Sequence, residues 1–163
     1  MTRIRIKEIL FTSLCALSIA FPSACFAEVS SSAIFTLTNA DRISAGVAPL
    51  SENTLLDQAA QMKAEDMLAK GYFAHLSPEG YPFTHWIDMV GYHYRNFGEN
   101  LSMSSSMTNE DVNNGWMSSV GHRANILNTE FTEIGVGVAT GEYQGQQMTF
   151  VAQEFGAPKI PSP

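Results

Sequence analysis

The chain has 163 residues and carries 16 acidic residues against nine lysines and arginines, for a net charge of −7 at pH 7. This balance excludes nucleic-acid binding through phosphate contacts, which requires clustered lysine and arginine. It also predicts repulsion from anionic lipid surfaces. A chain of this length is expected to form one domain.

Residues 1–27 have the pattern of a secretory signal peptide. A basic start is followed by an apolar run over residues 9–21, and small residues lie three and one positions before a cut after Ala27. The run is short for a membrane span, which needs roughly 20 apolar residues, but an uncleaved anchor is one alternative. Lipid attachment at Cys25 is another, for which the preceding Pro-Ser-Ala is a poor match. We therefore expect a secreted protein, extracellular or periplasmic, with no transmembrane span in the mature chain.

Cleavage after Ala27 changes both the charge and the redox chemistry of the chain. It removes three basic residues and one acidic residue, so the net charge becomes −9. Both cysteines, Cys15 and Cys25, lie in the removed segment. The mature domain is therefore expected to fold without a disulfide, and it is long enough to bury a core without one.

Apolar positions three to four residues apart predict helices in the first two thirds of the mature chain. The predicted helices cover approximately residues 30–45, 53–70, 83–90, 108–119 and 124–127. Gly71 stands where a left-handed residue commonly ends a helix. Thr108, followed three residues later by Asp111, predicts a capping box.

The last third of the chain changes to a period of two. Ile134, Val136 and Val138 alternate with smaller or polar residues, which predicts a strand. Residues 147–155 predict a second strand that pairs with the first across a turn at 141–146, and residues 97–103 are a third candidate. Residues 157–163 contain three prolines and are predicted to be a tail. Helices first and strands last predict an α+β fold.

Six segments, in this order along the chain, are similar to motifs of one known family. They are Leu37–Arg42, Tyr72–His75, Gly98–Leu101, Trp116–Leu127, Phe131–Gly137 and Gln153–Phe155. Together they resemble the CAP superfamily of SCP-like extracellular and pathogenesis-related proteins. The Trp116–Leu127 segment is like the bacterial branch. The resemblance assigns residues 28–156 to one CAP domain.

The resemblance also implies a fold and a site. The fold is a three-layer α-β-α sandwich with a central, mainly antiparallel sheet. The site is a cleft lined by two histidines and two acidic residues, which the motifs assign to His75, His122 and Glu99. The second acid normally lies three residues after the motif tryptophan, where this chain has Ser119.

Two imidazoles and a carboxylate are competent ligands for a divalent metal, with zinc the best candidate and copper or nickel as alternatives. The same residues have other interpretations. A histidine in a loop is more often a surface or hydrogen-bonding residue than a ligand, and Glu99 could be a solvated turn carboxylate. Glu99 could also orient His75 or His122 by a hydrogen bond instead of binding the metal.

The function that these patterns favour is a secreted ligand-binding or interaction module. Its partner would be a small or lipid-like ligand, or a component of the cell envelope or of a host. The alternative is a metal-dependent hydrolase of peptide or envelope material. Ser119 and His122 are three residues apart on a predicted helix and could face one another. However, no G-x-S-x-G or H-E-x-x-H motif is present, so we do not expect an enzyme.

Some polar and aromatic residues are assigned to the scaffold instead of the cleft. Asn39 and Arg42 are expected to satisfy buried polar groups, and His85 and His93 to lie at the surface or in packing contacts. Three aromatic residues before Glu99 are expected to pack in the core, although some could line the cleft: Tyr92, Tyr94 and Phe97.

Overall fold

The structure is a computed structural model that describes residues 28–159. The predicted cleavage after Ala27, lipid attachment at Cys25 and the last four residues of the tail lie outside the described residues. In chain order the elements are α1 (Ser31–Ser44), β1 (Ser51–Glu52), α2 (Thr54–Lys70), α3 (His85–Met89), β2 (Tyr94–Ser104), α4 (Asn109–Ser118), α5 (Val120–Ile126), β3 (Glu133–Tyr143) and β4 (Gln146–Pro158).

The helix ends follow from local side-chain chemistry. The Ser30 and Asn53 side chains accept hydrogen bonds from the first backbone N–H groups of α1 and α2. Gly71 ends α2 with a left-handed conformation (φ 69°). Thr108 and Asp111 form the predicted capping box at the start of α4. The predictions for Gly71 and for the Thr108–Asp111 capping box are confirmed.

The four strands form one sheet in the order β1-β3-β4-β2. The short β1 is parallel to β3, whereas the β3–β4 and β4–β2 pairs are antiparallel. Helix α2, with α3 beside it, packs on β3 and β4, and the other helical layer is formed by α1, α4 and α5. The fold is the three-layer α-β-α sandwich with a mainly antiparallel sheet that the resemblance implies.

Two glycines let α2 approach the sheet closely. A Cβ atom at Gly135 would lie 2.0 Å from the backbone carbonyl carbon of Leu56, and one at Gly137 would lie 2.2 Å from that of Ala60. Side chains of α2 also reach the edge of β3. The Val136 N–H donates to the Asp57 carboxylate (3.0 Å). Helix α2 is therefore fixed against β3 by both close packing and hydrogen bonds.

The scaffold roles predicted for Asn39 and Arg42 are confirmed. The Asn39 amide both donates to and accepts from the backbone of Leu50. The Arg42 side chain is 1% exposed, and its guanidinium donates to four backbone carbonyl groups. These carbonyl groups belong to Ala48, Ile126, Asn128 and Phe131. A buried cation is thus used to join α1 to the chain around α5.

Several boundaries differ from the prediction, and the turn predicted at 141–146 is only residues 144–145, between the ends of β3 and β4. Helix α4 ends at Ser118, and a separate α5 begins at Val120, because Ser119 between them is extended (φ −96°, ψ 126°). Strand β2 runs from Tyr94 to Ser104, beyond the predicted residues 97–103 at both ends. Strand β4 continues to Pro158, two residues into the predicted tail, since the backbone of β2 is available to pair with it.

Candidate functional site

The predicted site residues come from three different parts of the fold. His75 lies in the loop that follows α2, Glu99 lies on β2, and His122 lies in the first turn of α5. The Nδ1 atom of His75 is 2.5 Å from Oε1 of Glu99. The Glu99 side chain is 1% exposed, whereas that of His75 is 54% exposed. The pair therefore joins a buried carboxylate to an imidazole that solvent can reach.

The His75–Glu99 pair lies in a groove of about 360 Å³. The groove is lined by His75, Phe83, Phe97, Gly98, Glu99 and Asn125. The rings of Phe83 and Phe97 stack with their centroids 5.6 Å apart, and Phe83 is 40% exposed. The groove thus combines an apolar wall with one polar pair, and Phe97 has the cleft-lining role that the sequence left open.

The two histidines have opposite electrostatic environments. The hydrogen bond to Glu99 raises the pKa of His75, against a smaller opposing effect of burial. Burial lowers the pKa of His122, and the nearby His75 lowers it further. His122 is therefore close enough to His75 for their charges to interact, and near neutral pH its imidazole is neutral.

Ser119 lies at the junction of α4 and α5 in an extended conformation. It is the N-cap residue of α5, three positions before His122. Its side chain makes no capping hydrogen bond to α5. That Ser119 faces His122 stays a prediction.

Amides from the family motifs form a hydrogen-bond network under the groove. The Asn125 amide donates to the Glu99 backbone carbonyl (3.1 Å) and to Oδ1 of Asn100 (2.9 Å). The Asn100 amide donates to the backbone carbonyl of His122 and to Oε1 of Gln153. Gln153 in turn donates to the hydroxyl of Thr38 (2.7 Å). The network holds α5, β2, β4 and α1 in one arrangement around the His75–Glu99 pair.

Sequence reasoning missed two charged residues beneath the groove. Glu154 on β4 lies directly opposite Glu99 in the strand register and is fully buried. Burial, followed by the charge of Glu99, raises the pKa of Glu154 well above its usual range. Lys63 on α2 is also fully buried, which lowers the pKa of its ammonium group. The signal for Lys63 was a lysine on the apolar face of α2, between Ala59 and Met67.

The predicted three-ligand metal set does not fit the observed geometry. Within residues 28–159, no group of three histidine, cysteine or acidic side chains is arranged to hold a metal ion. Oε1 of Glu99 is engaged with Nδ1 of His75, which leaves Nε2 as the free ring nitrogen. Glu99 therefore has the geometry of a carboxylate that orients a histidine, the alternative role considered for it. The only protein ligands that remain from the predicted set are two imidazoles.

The other two histidines have packing or surface roles, as expected. The His85 ring stacks on that of Tyr81 with centroids 4.0 Å apart and packs edge-on against Trp86. His93 is exposed, and its backbone carbonyl accepts a hydrogen bond from the N–H of Lys159. Within the part of the chain that the structure describes, no helix is long and apolar enough to cross a membrane.

The fold and groove define an α-β-α sandwich protein with a histidine–carboxylate groove against strand β2. The model of the cysteine-rich secretory protein family (CAP) matches residues 35–155, and the chain belongs to this family. Despite that description, residues 28–163 contain no cysteine.

Bacterial proteins are among the relatives. The uncharacterised protein YkwD of Bacillus subtilis is 43% identical over 116 residues, which are 70% of this chain and 44% of YkwD. The uncharacterised membrane protein YlbC of the same organism is 30% identical over 105 residues, 64% of this chain and 30% of YlbC. The chain thus spans less than half of the length of these curated relatives.

Solved structures share the fold. An extracellular SCP-domain protein of Bacillus anthracis is 28% identical with a TM-score of 0.67, covering 77% of this chain and 39% of that one. An outer surface protein of Borrelia burgdorferi has a TM-score of 0.66 at 17% identity, covering 77% and 90% of the two chains. The second likeness shows the fold alone.

Proposed function

We propose that this chain is an exported binding module of the CAP family whose groove takes an amphipathic, lipid-like ligand. The observation that carries the proposal is the composition of the groove, where the stacked rings of Phe83 and Phe97 adjoin the His75–Glu99 pair. Export is supported by the signal-peptide pattern of residues 1–27, and the extracellular name of the Bacillus anthracis relative agrees with it.

The groove offers separate contacts for the apolar chain and for the polar head of such a ligand. An apolar chain that covers the exposed part of Phe83 would gain about 25 cal/mol for each Å² of apolar surface removed from water. A carboxylate head would accept a hydrogen bond from His75. Glu99 raises the pKa of His75, so the imidazole stays protonated at a pH closer to neutral. A fatty acid has both parts and is the simplest probe.

The test is a calorimetric titration of the mature chain with laurate below its micelle concentration. We expect saturable binding that Phe83→Ala weakens by about tenfold, the equivalent of about 1.4 kcal/mol. Phe73→Ala is the matched control, because Phe73 is similarly exposed (42%) but packs against Phe150 and does not line the groove. Equal affinities in wild type and Phe83→Ala, or no saturable binding at all, would contradict the proposal.

The two imidazoles also support a weaker proposal, that His75 and His122 together bind zinc beside the groove. Glu99 would hold the His75 ring by its Nδ1 atom and leave Nε2 for the metal. With only two protein ligands, binding should be weaker than at a structural zinc site, and folding should not depend on the metal. Because protons compete for the imidazoles, affinity should fall as pH drops through the titration of His75.

Zinc titration of four proteins checks this proposal. His75→Ala and His122→Ala should each lose binding, while His85→Ala should retain it, since His85 is stacked on Tyr81 outside the groove. If all four proteins bind zinc equally, His75 and His122 are not its ligands and the zinc proposal is wrong. The laurate proposal would be unaffected.

The alternative function, a metal-dependent hydrolase of peptide or envelope material, would use the same two imidazoles with Glu99 as a base. The burial of Glu99 and its hydrogen bond to His75 favour binding over this role, because a general base must reach the proton that it removes. Turnover of a peptide or peptidoglycan substrate that a chelator abolishes and zinc restores would overturn the preference for a binding module.

A further inference from the structure

We propose that Lys63 and Glu154 are positioning residues of the groove, forming with Glu99 a buried charge cluster that fixes the orientation of His75. In this arrangement Glu154 supplies, from β4, the second acidic group that the sequence lacks at Ser119. The inference deepens the proposed function, since it concerns the same groove, but it depends only on the geometry of His75.

Lys63 joins α2 to the loop that carries His75. Its ammonium group donates to the backbone carbonyl groups of Ala74 (2.7 Å) and His75 (3.2 Å) and to the hydroxyl of Tyr72 (3.3 Å). It also lies over the Trp86 ring, 4.3 Å from the centroid. A buried ammonium group that uses its donors on one loop fixes that loop relative to the helix.

Glu154 completes the other side of the cluster. It is directly opposite Glu99 across the β2–β4 pair, where side chains on one face lie about 5 Å apart. Oε2 of Glu99 and both carboxylate oxygens of Glu154 are buried and have no N–H or O–H donor among the described residues. Burial and the charge of Glu99 raise the pKa of Glu154, so Glu154 is the group that carries a proton, and its O–H can donate to Oε2 of Glu99.

Charge balance connects the three residues. With Glu154 protonated, the Glu99 carboxylate is the negative group of the pair, and the buried Lys63 ammonium is close enough to feel its charge. Glu99 is then held at both oxygens, by Glu154 at Oε2 and by His75 at Oε1. This fixes the plane of the carboxylate and hence the direction in which His75 presents Nε2.

The role of Glu154 can be separated from mere packing by two variants of similar size. Glu154→Gln keeps a donor for Glu99, whereas Glu154→Leu does not. The readout is the Nδ1–H resonance of His75 in ¹⁵N-histidine-labelled mature protein without ligand, assigned by its loss in His75→Ala. We expect the resonance in wild type and Glu154→Gln, and its loss or broadening in Glu154→Leu.

Lys63 is tested in the same way. In Lys63→Met we expect the Nδ1–H resonance of His75 to disappear and laurate to bind about tenfold more weakly. A loss of this size is typical when a residue that orients a binding side chain is replaced. Lys63→Arg should restore both in part. Lys70→Met is the matched control, because Lys70 is an exposed lysine of the same helix that pairs with Asp66 and Glu79 away from His75. If Lys63→Met does not fold, the two Glu154 variants decide the question.

The outcomes separate this inference from the proposed function. A wild-type protein that shows the resonance but binds no laurate would defeat the ligand proposal and leave the positioning role intact. A resonance that is absent from wild type, or that persists unchanged in folded Glu154→Leu and Lys63→Met, would overturn the positioning role whatever the groove binds.

Discussion

His75 and His122 show how one residue type acquires opposite properties within one site. The Glu99 carboxylate is buried, and its hydrogen bond to the half-exposed His75 favours the protonated imidazole. His122 has no such carboxylate partner among the described contacts, and burial favours its neutral form. The site thus has one imidazole, His75, that favours the protonated form, and a second, His122, that favours the neutral form.

The first prediction at this scale is that NMR titration gives a higher pKa for His75 than for His122. Glu99→Gln should lower the pKa of His75 toward its ordinary value, because the charged acceptor is lost. Glu65→Gln, at an exposed position on α2, should leave it unchanged. Equal pKa values for the two histidines in wild type would contradict the assignment.

The stability that accompanies these shifts has a defined sign. Because the pKa of His75 is raised on folding, its pair with Glu99 stabilises fully below the unfolded value of about 6.5 and ceases to do so as pH rises through the folded value. His122, with a lowered pKa, acts in the opposite sense and reduces stability as pH falls through 6.5. The two histidines therefore change the free energy of unfolding with pH in opposite directions, and their effects partly cancel in wild type. Denaturant unfolding of His75→Ala should show the effect of His122 alone.

At the scale of elements, α2 is the part of the fold on which the site depends. Its Lys63 reaches the His75 loop, and its backbone lies against β3 at Gly135 and Gly137. Strand β3 pairs with β4, which pairs with β2 and so with Glu99. The distance between the His75 loop and Glu99 is therefore set by how closely α2 lies on the sheet.

Gly137→Ala tests this dependence. The added methyl group would meet the backbone of Ala60, which cannot rotate away, so α2 must move from the sheet. We expect a destabilisation of about 1–3 kcal/mol, the usual cost of overpacking, in denaturant unfolding. Gly115→Ala is the control, since that helical position has open space around it and should gain up to about 1 kcal/mol. Equal effects of the two substitutions would show that the close approach is unimportant.

At the scale of the whole molecule, the N-terminal residues of the mature domain are integral to its core. Val29 is 6% exposed and packs in the same cluster as Trp116 and Phe155. The backbone N–H of Ser30 donates to the side chain of Asn109 at the start of α4. A cut after Ala27 preserves both contacts, whereas a cut beyond Val29 would remove a core residue.

We accordingly predict that the exported protein begins at Glu28. Mass spectrometry of the intact secreted protein should give the mass of residues 28–163 without lipid. The same sample should show no change in thermal stability with a reducing agent, because no cysteine remains to form a disulfide. Detection of a species that carries diacylglycerol on Cys25 would contradict this prediction and indicate a membrane-anchored protein.

The sequence by itself determined features that depend on neighbouring residues or on a single side chain's chemistry. These include the ends of α1 and α2, the Thr108–Asp111 capping box and the alternation of β3. The burial of Trp116 was predictable for the same reason, since it lies on the apolar side of α4 with Val112. Motif resemblance added the family, the sandwich fold and the three residues His75, Glu99 and His122.

Only the tertiary structure decided what those residues do to one another. Strand register places Glu154 opposite Glu99, and the packing of α2 brings Lys63 under the His75 loop. The extended backbone of Ser119 starts α5 at Val120, four residues before the start that the sequence predicted. Register, burial and the direction of a hydrogen bond arise between segments that are distant in sequence. Local patterns therefore cannot specify whether Glu99 is a solvated carboxylate, a metal ligand or the acceptor that orients His75.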